Sequence, residues 1–175
     1  MKKSKNLSFP IGEYVIPKEI TVGHLHAWTA MIEELPAQLE QIVNRLTEDQ
    51  LHTPYRPGGW TVKELVHHIA DSHMNAYIRL KLGMSEDNPT IKPYDQEAWV
   101  DMPDSEMPVA VSLAIIKGVH ARWVYVLKPF QNWGRTIFHP ELKTSMRLDE
   151  LTGMYAWHGA HHLAHIKGLV EREGW

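Results

Sequence analysis

Four histidines near the C-terminus form the densest group of candidate metal ligands in this chain. They lie in the segment Trp-His-Gly-Ala-His-His-Leu-Ala-His at 157–165. Two of them, His161 and His165, are four residues apart, and on a helix that spacing puts both side chains on one face, with Cβ atoms about 5–6 Å apart. The segment therefore predicts a pair of metal-binding imidazoles that needs a third ligand from elsewhere in the chain.

The third ligand is expected from a second histidine patch, formed by His67, His68 and His73. On a helical wheel the apolar residues of this segment define an inner face, and His68 lies at its edge. His67 points further round, toward what should be solvent. We therefore predict His68, His161 and His165 as the metal ligands, with His67 as the alternative to His68.

The remaining histidines of the C-terminal segment, His158 and His162, share the same broad helix face. Burying four imidazoles on one face costs free energy unless each ring has a partner. A divalent ion that binds two of them, with hydrogen bonds to the others, would remove that cost. We therefore favour a metal site over a core of neutral, hydrogen-bonded histidines.

The predicted ligands indicate what chemistry the site could perform. Zn²⁺ held by three imidazole nitrogens at about 2.0–2.1 Å keeps a fourth position open, which is typical of catalytic sites. Such an ion lowers the pKa of a bound water to about 7 and ionises a bound thiol. Hydrolysis and thiol transfer to an electrophile both follow, and the lack of an obvious inward carboxylate as general base slightly favours thiol transfer. Ni²⁺ also suits imidazole ligands, so the predicted ion is Zn²⁺ or Ni²⁺.

Three further polar residues, Tyr55, Arg56 and Arg79, could bind or orient a small-molecule substrate. The alternative is that they serve only as turn and surface residues. The sequence contains no His-Glu-x-x-His motif, no glycine-rich phosphate loop and no serine or cysteine nucleophile signature. The predicted source of reactivity is therefore the metal.

Size and charge exclude several other classes of protein. The 175 residues fit a single domain, predicted to span 1–175, and a formal charge of -3 with scattered Lys and Arg gives no footprint for nucleic acid. No run of 18 apolar residues predicts a membrane span, and none of signal-peptide length follows the basic start at residues 1–5. The absence of cysteine excludes disulfides and thiolate ligands. We expect a soluble cytoplasmic protein.

Hydrophobic periodicity predicts four long helices, at 22–45, 61–82, 109–127 and 148–171. We expect an ordered loop over 84–107 and a short β-hairpin within 136–147. Four helices of this length with long connections predict an all-α fold, a four-helix bundle with crossover loops.

The predicted helix boundaries rest on residues with known end preferences. Thr21 and Thr61 are predicted N-caps, and Glu64 stands at capping-box spacing from Thr61. Gly83 and Gly174 are predicted to end the second and fourth helices. Within the first helix, Pro36 is expected to interrupt the hydrogen-bond ladder.

Several motifs of the chain strongly resemble the YfiT branch of the DinB/YfiT-like superfamily. The similarity spans nearly the whole chain. It is carried by Thr-Pro-Tyr-Arg-Pro-Gly-Gly-Trp-Thr-Val-Lys at 53–63, the pair His67 and His68, Asp-Ser-His-Met-Asn at 71–75, Ile-Lys-Pro-Tyr-Asp at 91–95, His-Ala-Arg-Trp at 120–123, Phe-His-Pro at 138–140 and the histidine segment up to Ile166.

This resemblance implies a four-helix bundle, usually a homodimer, that binds one zinc or nickel ion per subunit through three histidines. The implied ligands are one of the pair His67 and His68, together with His161 and His165. In the superfamily the first ligand stands eight residues after a tryptophan, and counting from Trp60 gives His68.

The resemblance also implies an activity. Members are described as metal-dependent hydrolases, and several relatives are S-transferases that use bacillithiol or another low-molecular-weight thiol. The predicted function is a metal-dependent hydrolase, with a bacillithiol-type S-transferase acting on electrophiles as the first alternative. The second alternative is a non-catalytic metal-binding bundle of the stress response.

Overall fold

The computed structural model describes residues 6–175, so the basic start at 1–5 lies outside the described residues. Helices dominate this part of the chain, with one small antiparallel sheet. In chain order the elements are α1 (Val22–Val43), α2 (Glu48–Leu51), α3 (Val62–Ser85), α4 (Gln96–Val100), a 3₁₀-helix (Pro103–Glu106), α5 (Val109–Leu127), β1 (Thr136–His139), β2 (Thr144–Arg147) and α6 (Leu148–Glu173).

The four long helices α1, α3, α5 and α6 form the predicted four-helix bundle. Helix α1 packs against α5 and α6, and α3 packs against the same two helices. Helices α1 and α3, although consecutive among the long helices, therefore stand diagonally across the bundle, and so do α5 and α6. Diagonal partners cannot be joined by tight turns, which confirms the prediction of crossover connections.

The predicted helix starts are confirmed by their caps. The Thr61 hydroxyl accepts a hydrogen bond from the Glu64 amide at 3.2 Å, and the Glu64 carboxylate accepts one from the Thr61 amide at 2.7 Å. Thr21 caps α1 in the same way, with His24 as its partner. These reciprocal bonds satisfy amides that have no partner within the helix.

The end of α3 differs from the prediction. The helix continues through Gly83 to Ser85. A Cβ atom at Gly83 would lie 2.6 Å from Leu148 Cδ2 and 2.8 Å from Ile137 Cγ2, so this glycine lets α6 and the hairpin approach the helix closely. Gly83 is thus a packing glycine, whereas Gly174, with φ of 71°, ends α6 as predicted.

The segments between the long helices are ordered. Strands β1 and β2 pair antiparallel with Ile137 opposite Met146, which confirms the hairpin. The connection over 84–107 holds α4 and the 3₁₀-helix, neither of which the sequence predicted. Asp95 begins α4, because its carboxylate accepts hydrogen bonds from two amides of the first turn.

Two apolar clusters fill the bundle, and a layer of histidines separates them. Along α3 the first cluster ends at Ala70 and the second begins at Ala76, with His73 between them. On α5 the same division falls between Ile116 and Trp123. The buried histidines of this layer are His73 and His120, and His158 and His162 lie at the same level on α6.

Helix α5 is long and apolar enough to cross a membrane by length and composition alone. In this fold, however, Ile116, Trp123 and Leu127 lie buried in the two apolar clusters. The helix packs against α1 and α3. The apolar residues on its buried face therefore belong to the core of the bundle.

Candidate metal centre

Three imidazoles from two helices meet at one end of the histidine layer. The Nε2 atom of His158 lies 3.4 Å from Nε2 of His68 and 3.1 Å from Nε2 of His162. The ligand atoms of all three side chains lie within 4.8 Å of one another. His68 comes from α3, and the other two are one turn apart on α6.

A second group on α6 contains the two residues that the sequence favoured. His161 and His165 face each other with their Nε2 atoms 3.0 Å apart, and His162 completes the group. The structure thus brings His68 together with His158 and His162. It does not bring His68 into one group with His161 and His165.

The prediction that His67 points toward solvent is wrong. Its side chain is buried, with only 6% exposed. The Nδ1 atom lies 2.7 Å from the Ser112 hydroxyl, and Nε2 lies 3.0 Å from the Met107 carbonyl oxygen. Both ring nitrogens of His67 are therefore used in contacts to α5 and the segment before it, away from the metal centre.

Burial keeps the ligand imidazoles neutral. Desolvation lowers the pKa of His68 to about 4 and holds the pKa of His158 and His162 well below the usual histidine range, with neighbouring imidazoles adding to the effect for the latter two. A neutral imidazole has a lone pair on one of its nitrogens, which is the form that binds metal. The three side chains are thus in the metal-binding protonation state near neutral pH.

The donor set fits a small divalent ion. In a tetrahedral zinc site with bonds of about 2.0–2.1 Å, neighbouring nitrogens are about 3.3–3.4 Å apart. The observed 3.4 and 3.1 Å between the nitrogens are close to this spacing. Three nitrogen donors without thiolate or carboxylate suit Zn²⁺ and Ni²⁺.

An open cleft of about 320 Å³ is lined by these three imidazoles and also by His161. The turn after α2 builds one wall, because Gly58, with φ of 68°, and Gly59 reverse the chain there. A Cβ atom on Gly59 would lie 2.9 Å from the ring of Tyr55, so the turn can close only around glycine. This wall presents Tyr55, Arg56 and Trp60 to the cleft.

Of the predicted substrate residues, two line this cleft and one does not. Tyr55 and Arg56 lie in its wall. Arg79 is buried elsewhere, where it donates hydrogen bonds to the Tyr155 hydroxyl at 3.3 Å and to the Lys92 carbonyl at 3.0 Å. Arg79 therefore fixes the segment after α3 against the bundle.

The cleft also contains a carboxylate that no pattern in the sequence indicated. Glu97 of α4 lines the cleft and accepts a hydrogen bond from the indole of Trp60 at 3.1 Å. The Trp60 ring in turn packs 4.6 Å from the ring of His68. No sequence signal marked Glu97, because it lies in a short helix inside a segment predicted to be a loop.

Comparisons with known proteins agree with this architecture. A family model described as the DinB superfamily matches residues 31–166. A protein of Bacillus subtilis named "Putative metal-dependent hydrolase YfiT" is 46% identical over 98% of both chains, and a protein of Bacillus mycoides with a similar description is 48% identical over 98% of this chain and 99% of its own length.

A solved structure is also similar. It is that of Bacillus subtilis YfiT, described as "a probable metal-dependent hydrolase with an unusual four-helix bundle topology". The match has a TM-score of 0.93 and 45% sequence identity, and it covers 97% of this chain and 99% of that one. The chain therefore belongs to the DinB superfamily and, within it, to the YfiT-like proteins.

Proposed function

We propose that this protein is a metal-dependent hydrolase whose ion is bound by His68, His158 and His162. The convergence of three Nε2 atoms beneath an open cleft is the observation that carries the proposal. The names of the relatives support it, since they describe metal-dependent hydrolases. This proposal differs from the sequence prediction, which chose His161 and His165 and stays a prediction, because His158 and His162 form one group with His68.

Residues that line the cleft support this proposal. His68, His158 and His162 would hold the divalent ion, which would supply Lewis acidity and lower the pKa of a water in the cleft. Glu97 is the carboxylate that lines the cleft, and we assign it the role of accepting a proton during the reaction. Arg56 stands in the same wall as a cation that can bind a polar or anionic part of the substrate.

Thiol transfer is the second candidate. The sequence favoured thiol transfer over hydrolysis because it indicated no carboxylate near the histidines that could act as a general base. Glu97 lines the cleft, so this reason no longer holds. A closed structural metal site is disfavoured by the open cleft above the three ligands, because structural zinc sites are filled by four protein ligands.

A paired assay of metal-loaded protein tests the proposal. Ester and amide substrates are offered in one series, and a chromogenic electrophile with small thiols in the other. We expect cleavage in the first series that is lost on chelation and falls about 100-fold or more in Glu97→Gln, the range found for general bases. Thiol consumption without any cleavage would replace hydrolysis by S-transfer, and inactivity in both series would favour a binding role.

The identity of the ion is tested separately. We propose one Zn²⁺ or Ni²⁺ per chain, because nitrogen donors suit both ions. Elemental analysis of protein purified without added metal measures this directly. One equivalent of either ion is the expected result, and a content near zero after loading with both would contradict the site.

A further inference from the structure

We propose that the protein has a second binding site, for a small organic carboxylate with an apolar body, in a pocket at the end of the bundle. This end pocket has a volume of about 320 Å³ and lies between α1, the start of α2 and the end of α6. Among the described residues it shares no lining side chain with the cleft at the histidines. Binding there is therefore independent of the metal centre and of the proposed hydrolase activity.

Two helix faces form the walls of the end pocket. On α1, Gln38, Gln41 and Ile42 line it, and spacings of three and four residues put their side chains on one face of the helix. On α6, Lys167 and Val170 line it with the same spacing of three. Because α1 and α6 pack against each other, the two walls keep a fixed distance.

The turn after α6 closes the end pocket on a third side. Gly174 has a φ of 71°, in the left-handed region, and its amide donates to the Val170 carbonyl. The amide of Trp175 donates to the same oxygen at 3.1 Å. This turn brings the Trp175 side chain into the lining, where it stays 40% exposed. Its indole can therefore still bury surface against a ligand.

The floor of the end pocket is apolar. Ile42, Leu46 and Val170 line it while they pack against the first apolar cluster of the bundle. Sites for small molecules are typically concave and mostly apolar, with a few polar groups and volumes of about 300–1,000 Å³. The end pocket lies at the lower end of this range, so it suits a ligand with a small apolar body.

The charged side chains of the end pocket are both cations. Arg45 and Lys167 line it, its other polar side chains are glutamines and the Trp175 indole, and no carboxylate side chain of the described residues lines it. Neither cation forms an ion pair with a described residue. Two unpaired cations at one pocket attract an anion.

The groove between α1 and α5 lacks this property. It also contains two lysines, but Lys117 pairs with Glu40 at 3.7 Å and Lys128 pairs with Glu33 at 2.8 Å. The carboxylates of that groove thus neutralise its own cations. The excess of positive charge is therefore a feature of the end pocket and not of every groove on α1.

The hydrogen-bond donors of the end pocket favour a carboxylate. The side-chain oxygen of Gln50 accepts from the Thr47 amide at 2.9 Å, which leaves its NH2 group without a partner in the described part of the chain. The Arg45 guanidinium can donate two parallel hydrogen bonds to a carboxylate, and the Lys167 ammonium can donate a further one. Donors at the rim and an apolar floor together fit a carboxylate that is joined to an apolar body.

Calorimetric titration of the full chain with octanoate tests the proposal. We expect one octanoate to bind per chain with a dissociation constant of about 1 mM or below. Acetate lacks the apolar body and octylammonium carries the opposite charge, so both should bind at least about 10-fold more weakly. Octylammonium that bound as well as octanoate, or octanoate that did not bind at about 10 mM, would overturn the proposal.

Substitution of the two cations tests their role. Arg45→Gln and Lys167→Gln alter exposed side chains, so the fold should be kept, and each should weaken octanoate binding by about 10-fold or more. Lys128→Gln is the matched control, because it removes the same charge from the groove between α1 and α5. It should stay within about two-fold of wild type, since salt screens a distant surface charge. Equal weakening in all three variants would indicate unspecific attraction and overturn the site.

The indole NMR signals of the wild-type protein locate the ligand. Trp175→Phe assigns the signal of Trp175, and Trp60→Phe assigns that of Trp60, which lines the cleft at the histidines. Octanoate should shift the Trp175 signal and leave the Trp60 signal in place. A shift of Trp60 alone would place octanoate in the cleft and overturn the proposal. Octanoate binding at Trp175 in a protein that binds no metal would support the end pocket and contradict the proposed function alone.

Discussion

At the residue scale, the sequence prediction and the proposed metal site differ in which two histidines of α6 bind the ion. Residue types and the spacing of four identified the histidine segment as metal-binding, but the spacing occurs twice, in His158 and His162 and in His161 and His165. The two pairs differ by three positions, which is about 60° around a helix at 100° per residue. Which pair faces α3 depends on the rotation of α6, and packing against the other helices sets that rotation.

The assignment of His68, rather than its neighbour His67, as a metal ligand can be tested by substituting each of them. His68→Ala should remove bound metal, because it deletes one of the three converging nitrogens. His67→Ala should keep metal near one equivalent but lower the free energy of unfolding by about 1–3 kcal/mol, because it leaves the Met107 carbonyl and the Ser112 hydroxyl without their partner. Elemental analysis and urea unfolding measure the two effects, and metal loss in His67→Ala alone would reverse the assignment.

At the scale of elements, the sequence predicted those helix ends that depend only on residues within one helical turn. The capping box at Thr61 and the left-handed end at Gly174 follow from residues within one turn, so they could be recognised from the sequence. Helix α4 could not be placed in the same way. Its position depends on the contact between Glu97 and Trp60, which are 37 residues apart.

Gly159 of α6 shows how one element positions the site. A Cβ atom there would overlap Leu35 of α1 and lie 3.2 Å from His73 Cε1. Gly159→Ala should therefore lower the free energy of unfolding by about 1–3 kcal/mol, the usual cost of overpacking a core.

Gly168 is the matched control on the same helix. Its nearest neighbour to an added Cβ is the flexible end of Arg172, at 3.4 Å. Gly168→Ala should be neutral or stabilising by up to about 1 kcal/mol, because alanine has the higher helix propensity. If urea unfolding showed the two variants to be equally stable, the close approach of α1 and α6 at Gly159 would be contradicted.

At the scale of the whole molecule, the buried histidines make stability depend on pH. Burial lowers the pKa of His68 and His120 to about 4 in the folded chain, so the unfolded chain, with values near 6.5, binds more protons between these limits. The free energy of unfolding is therefore highest above about pH 6.5. It falls with decreasing pH, by up to about 1.4 kcal/mol per pH unit for each such imidazole.

Urea unfolding of metal-free protein at several pH values between 7.5 and 5 measures this dependence. Asp71 acts in the opposite sense, because burial raises its pKa to about 6, but it is one group against several imidazoles. A free energy of unfolding that stayed constant or rose as the pH fell through 6 would contradict the conclusion that these histidines are buried and neutral.

Assembly is a second property of the whole molecule, and the expected homodimer stays a prediction. Val111, Ile115 and Tyr125 are exposed along one stripe of α5, and Tyr125 is 80% exposed. We expect a second copy to cover this stripe, so that Ile115→Glu yields a monomer in light scattering while wild type is a dimer. A monomeric wild-type protein at high concentration would contradict the prediction.

We expect His158 and His162 of α6 to bind the ion together with His68. Metal content per chain is compared in His158→Ala, His162→Ala, His161→Ala and His165→Ala after equal loading with zinc and dialysis. The first two variants should fall to background, and the last two should keep about one equivalent, because three coordinating nitrogens remain. Retention in His158→Ala and His162→Ala, with loss in His161→Ala and His165→Ala, would contradict the account.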